Sequence, residues 1–103
     1  MSRILAVDDT RALLVLLVDC LQKGGHEVVT AKDGQEALEK LREHRPDLVI
    51  TDLNMPRMNG LEFIEAARKE PAGRSLPMLL LTTETAQELK DRARAVKATG
   101  WIN

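Results

Sequence analysis

A chain of 103 residues has room for one domain and one core, and with 44% hydrophobic and 30% charged residues it is too apolar to be a disordered segment. Fifteen basic residues against sixteen acidic ones leave no bulk field to gather nucleic acid or an anionic membrane. The longest apolar stretch, residues 13–18, is too short to span a bilayer, and acid at Asp8 and Asp9 comes too early for a signal peptide, so a cytoplasmic protein is expected.

Short apolar runs alternate with helical periodicity along the chain. Residues 4–7, Ile-Leu-Ala-Val, read as a strand, and residues 11–23 as a helix stopped by Gly24 and Gly25. A second strand over 27–31 precedes a helix over 34–43, where Asp33 and Glu36 have capping-box spacing. The third strand, 48–51, leads through Asn-Met-Pro into a helix over 60–69, and Asn59 and Glu62 repeat that spacing. A Pro-Ala-Gly…Pro loop introduces the fourth strand, 78–81. The helix that follows, 86–98, has Thr85 and Glu88 in the same relation, and Trp101 and Ile102 begin a fifth strand.

Continuous apolar strands imply a sheet covered on both faces, and strict strand–helix alternation implies parallel crossovers. The expected fold is α/β: a doubly wound parallel five-stranded sheet in the flavodoxin-like order 2-1-3-4-5, lacking the final helix. A fifth strand with no helix behind it leaves part of one sheet face bare.

In the first helix Leu13, Leu16, Leu17, Cys20 and Leu21 share one face, with Leu14, Val15 and Val18 pointing elsewhere. Two readings share the weight here: an apolar patch for a partner, and a surface left open by the missing helix. The second predicts dimerisation or segment exchange. Cys20, alone in a helical pattern, reads as a small buried thiol. His26 and His44 have no second ligand at metal spacing and read as exposed, and Met55 and Met58 read as packing residues. Lys90, Asp91, Arg92, Arg94 and Lys97 read as a solvated face of the fourth helix.

In sheets of this kind ligands bind beyond the carboxyl ends of the strands. The first strand delivers Asp8 and Asp9 there, the third Asp52, and the fourth Thr82 and Thr83. The strand order brings the three carboxylates to one rim beside a hydroxyl. Three such charges raise one another's pKa unless a cation intervenes. Magnesium, a hard ion that keeps several waters for a phosphate to replace, suits the set. The competing view, that Asp9 or Thr10 merely caps a helix, accounts for one acid and not for three. A carboxylate beside magnesium can act as a nucleophile toward phosphorus.

The stretches "AVDDT", "VITDLNMPRMNG", "LPMLLLTTE" and "ATGWIN", in that order over the whole chain, resemble the receiver domain of two-component response regulators, and most closely the single-domain chemotaxis type. The resemblance implies that Asp52 is the phosphoacceptor and that a sensor histidine kinase is the donor. It implies Mg2+ held by Asp9, by Asp8 through water, by Asp52 and by the backbone carbonyl of Asn54. Pro56 and Gly60 would shape the loop into the third helix. Thr82 would be the switch hydroxyl and Trp101 the aromatic switch. Asn54 and Glu84 would tune the lifetime of the phosphorylated state, and the bulk of Thr83 would crowd the path of water. The output would be a protein target met by the surface of the fourth helix and fifth strand. The family's lysine, proline and last helix would follow Asn103, so a truncated receiver domain over 1–103 is expected, with metal binding retained. The alternative is an aspartate-nucleophile, magnesium-dependent phosphatase of the haloacid-dehalogenase sort; it wants an acid where Asn54 stands. A flavin carrier on the same fold is disfavoured, because Asp8 and Asp9 would repel the flavin phosphate.

Overall fold

The computed structural model describes residues 2–53, 55, 58–81 and 87–102, the last two by backbone alone. Strands and helices alternate throughout: β1 (Arg3–Val7), α1 (Arg11–Lys23), β2 (Glu27–Ala31), α2 (Gly34–His44), β3 (Leu48–Asp52), α3 (Gly60–Arg68), β4 (Met78–Leu81), α4 (Gln87–Ala95) and β5 (Gly100–Ile102). The strands form one parallel sheet ordered β2-β1-β3-β4-β5, the expected flavodoxin-like arrangement.

Strand register decides which residues meet which helices. Ile4 pairs with Val28 and Ala6 with Thr30, and the groove between α1 and β2 is lined by Val28 and Thr30. Side chains alternate across a strand, so α1 covers the face carrying Ile4 and Ala6. The opposite face supplies Leu5, Val7, Ala31, Val49 and Met78 to a core closed by Ala37 and Leu41 of α2 and Phe63, Ile64 and Ala67 of α3. Leu80 continues that face into a second cluster with Leu61, Leu89 and Ala93, which seats α4. Burying a side chain such as Phe63 or Leu41 stabilises the fold by about 1.5–3 kcal/mol each.

Coverage of the two faces is unequal. β1 is buried on both, whereas in β4 Met78 and Leu80 are buried and the intervening Leu79 and Leu81 are only half-buried. That partly bare face is the one α1 occupies alone among the described helices.

Local signals end the helices as the sequence suggests, with one exception. The Asp33 carboxylate accepts from the Glu36 N–H at 2.8 Å. Asn59 and Glu62 complete a reciprocal capping box, at 2.8 and 3.0 Å. Thr85 lies outside the described residues. The exception is α4, expected to run to residue 98. It stops at Ala95 because Lys97 turns into the left-handed region at φ 64. Arg45 does the same after α2 at φ 47.

Helix α1 carries the exposed apolar surface that both readings expect, and departs from expectation at Cys20. No residue of it is fully buried, and its half-buried stripe is Leu14, Leu17, Val18 and Leu21 rather than the Leu13-centred face. Leu13 and Leu16 are exposed, at 50% and 66%, and Cys20 is an exposed thiol, not a buried one. The helix is apolar nearly all round, so periodicity alone does not choose the stripe; contact with β1 and β2 does. Met55 and Met58 pack against the core as expected, whereas His26 and His44, expected to be exposed, are half-buried, the His26 ring accepting from the Ser2 N–H and the His44 carbonyl from Arg3.

Candidate metal and phosphoacceptor site

Two neighbouring strands deliver the acids. Val7 pairs with Thr51 in the β1–β3 register, so the next residue on each strand, Asp8 and Asp52, leaves the sheet at the same level. The Asp8 N–H donates to the Ala31 carbonyl at 3.0 Å, which extends the β1–β2 ladder one residue and fixes where Asp8 projects. Its Oδ1 accepts from the Thr10 N–H at 2.8 Å and so ties the acid to the start of α1. Thr10 stands at the N-cap position but its side chain makes no cap hydrogen bond.

Asp8, Asp9 and Asp52 each place a carboxylate oxygen within 4.8 Å of the other two. Their environments are graded: Asp8 is 2% exposed, Asp52 half-buried and Asp9 exposed. Burial pushes the Asp52 carboxyl above its ordinary range, and the neighbouring Asp8 adds to that. A hydrogen bond from the Leu53 N–H works in the opposite direction, and Asp9 again raises it.

A hard divalent cation is the chemistry this donor set fits. It offers oxygen ligands only, two of them withdrawn from water, and its mutual repulsion is relieved by positive charge. Asp52, half-exposed, remains open to a second reactant. The site's floor is rigid. Thr51 is fully buried with its hydroxyl donating to the Asp52 carbonyl at 3.0 Å, and Gly60 lies so close that a Cβ there would sit 2.2 Å from that carbonyl oxygen.

The structure thus brings together Asp8, Asp9 and Asp52, as the strand order implies. Asn54, Pro56, Thr82, Thr83 and Glu84 lie outside the described residues, as does the side chain of Trp101. The support from Leu53 N–H and the Thr51 hydroxyl carries no sequence signature, because it comes from backbone placement and from a residue that reads only as part of an apolar strand.

Comparison with known proteins gives the same architecture. The chain is similar to the chemotaxis protein CheY4 of Vibrio cholerae, with 46% identity and a TM-score of 0.96 over 99% of this chain and 85% of that one. It is 38% identical over 101 residues to the transcriptional regulatory protein PdtaR of Mycobacterium tuberculosis, which covers 97% of this chain and 48% of the relative. It is 37% identical over 83 residues to the alkaline phosphatase synthesis transcriptional regulatory protein PhoP of Bacillus subtilis, covering 81% and 34% respectively. The chain therefore spans between a third and a half of the length of these two curated relatives. Residues 4–103 match the model of the response regulator receiver domain, and the chain belongs to that family of two-component signalling domains.

Proposed function

We propose that Asp52 is the phosphoacceptor of this receiver domain and that Asp8 and Asp9 hold the divalent cation, Mg2+, that the transfer requires. The observation that carries this is the convergence of three carboxylate oxygens within 4.8 Å at adjoining strand ends, with Asp52 between the other two in exposure and so still reachable by a reactant. When bound, the ion supplies charge neutralisation for the transferring phosphoryl group.

The chain's own residues do the rest. An Asp52 carboxylate oxygen attacks the phosphorus of a histidine kinase's phosphoimidazole. The new O–P bond forms as the P–N bond breaks, and the electron pair leaves with the imidazole nitrogen. The elevated pKa of Asp52 in the metal-free protein marks a carboxylate whose charge is stabilised poorly until positive charge arrives, which favours metal-first assembly. Thr82, Trp101, Asn54 and Glu84 take the roles implied by the resemblance. Switching then alters the surface of α4 and β5 toward a protein target, a two-state element biased by a local charge event.

The test is phosphorylation by acetyl phosphate followed by intact-mass spectrometry. One phosphoryl group is expected on the wild-type chain with Mg2+, and none on Asp52→Asn or without the metal. Labelling of Asp52→Asn to the wild-type extent overturns the assignment. Steady hydrolysis of an unactivated phosphate monoester, which needs a general acid for its leaving group, points to the phosphatase instead.

A further inference from the structure

Helix α4 is fastened at one end by a residue that the phosphoacceptor chemistry does not use. Arg68, the last residue of α3, donates from Nε and Nη2 to the Lys97 carbonyl at 3.1 and 2.8 Å. Its Nη1 donates to the carbonyls of Gly73, at 2.7 Å, and Leu76. One guanidinium thus joins the α3–β4 connection to the α4–β5 connection.

The corner it grips is strained. Lys97 adopts φ 64, a conformation that side chains other than glycine rarely take. The Lys97 N–H donates to the Arg94 carbonyl at 3.0 Å and the Ala98 N–H to the Ala93 carbonyl at 2.9 Å, the two bonds of a Schellman stop. Just beyond, Thr99 and Met78 exchange bonds, Thr99 N–H to the Met78 carbonyl at 2.8 Å and Met78 N–H to the Thr99 hydroxyl at 2.9 Å. The guanidinium also brings positive charge to the negative end of the helix dipole. Elsewhere the described part of α4 buries only Leu89 and Ala93. One end of the helix is thus nailed down by backbone hydrogen bonds, while the side chains it buries along its described length, Leu89 and Ala93, are held by apolar packing with Leu53, Leu61 and Leu80.

We propose that Arg68 is a positioning residue that makes the α4–β5 corner the fixed end of a lever, so that α4 responds to phosphorylation from its N-terminal side. The lever rests on the switching reading above; the anchor does not. Charge-assisted bonds to a backbone carbonyl are replaced in Arg68→Met by an apolar chain of similar reach.

Amide hydrogen exchange on the full chain tests it. Arg68→Met should speed exchange at Lys97, Ala98 and Thr99 about tenfold or more while core amides such as those of Leu5 and Val49 stay within about twofold. Unchanged exchange at the corner, or equal acceleration everywhere, overturns the anchor. Lys97→Gly relaxes the left-handed turn, so in that background the effect of Arg68→Met should shrink; strict additivity overturns the coupling. In the wild type, Mg2+ with beryllofluoride should change exchange at Asp91 and Arg92 and spare the corner. Movement at the corner instead overturns the lever. A complete lack of response to beryllofluoride sinks the phosphoacceptor reading and the lever with it, and leaves the metal-free anchor result standing.

Discussion

Replacing Gly60 by alanine probes how the phosphoacceptor strand is held. Gly60 opens α3 and donates its N–H to the Leu53 carbonyl at 2.9 Å, so the helix start is bonded to the residue after Asp52. An added Cβ would lie 2.2 Å from the Asp52 carbonyl oxygen and 3.0 Å from Leu80 Cδ1, where ordinary contact begins at 3.4 Å. Backbone must give way by about an ångström, and both sides of the clash are packed. Overpacking of this severity costs about 3 kcal/mol, offset by about 1 kcal/mol of helix propensity, for a net loss near 2 kcal/mol. The strand end that moves carries Asp52. Because metal–oxygen distances tolerate only about 0.2 Å, Mg2+ affinity should fall roughly tenfold. The assay is urea denaturation with and without Mg2+, together with a magnesium titration followed by the fluorescence of the single tryptophan. Gly100→Ala is the control, since among the described residues its Cβ would meet Leu79 Cδ2 alone, at 3.5 Å. If Gly60→Ala is as stable as that control and binds Mg2+ at the wild-type midpoint, the close-approach argument is wrong.

Other consequences are equally open to measurement. The Asp52 carboxyl is raised in the folded state, so its contribution to stability is present below its unfolded pKa and is lost as pH rises through the raised value. Metal-free wild type should therefore lose stability relative to Asp52→Asn across the mildly acidic range, by no more than about 1 kcal/mol given the half-exposed position; a difference independent of pH refutes this. Asn59→Ala removes half of the α3 capping box and should cost about 1 kcal/mol in denaturation experiments, with Glu62→Ala costing less. Arg45→Gly relieves the left-handed stop of α2 and should stabilise by about 0.5–1 kcal/mol net of glycine's added unfolded-state entropy; a denaturation midpoint that does not rise refutes strain of that size at Arg45.

The fold was legible because three independent signals agree: apolar runs without alternation, capping residues at fixed spacing, and acids at the ends of β1 and β3. The acid rim follows once the strand order is known, since that order alone makes Asp8 and Asp52 neighbours. Exposed apolar surface on α1 was legible too, but the stripe that packs on the sheet was not, for the opposite reason. With leucine or valine at six consecutive positions, 13–18, many faces satisfy a helical period, and the sheet selects Leu14, Leu17, Val18 and Leu21. Cys20 was misplaced with that face. The end of α4 was hidden because its stop uses Lys97 where glycine is the usual marker, and the stop is supported by Arg68 from 29 residues away in the chain.

The alternating burial of β4 means that neighbouring leucines in one unbroken apolar run have opposite tolerances. Lysine at Leu80 strands an ammonium among Leu61, Leu89 and Ala93, whereas lysine at Leu79 can bend its stem outward and keep its head wet. Saturation mutagenesis should thus draw β1 as a solid bar of intolerance and β4 as a dashed one.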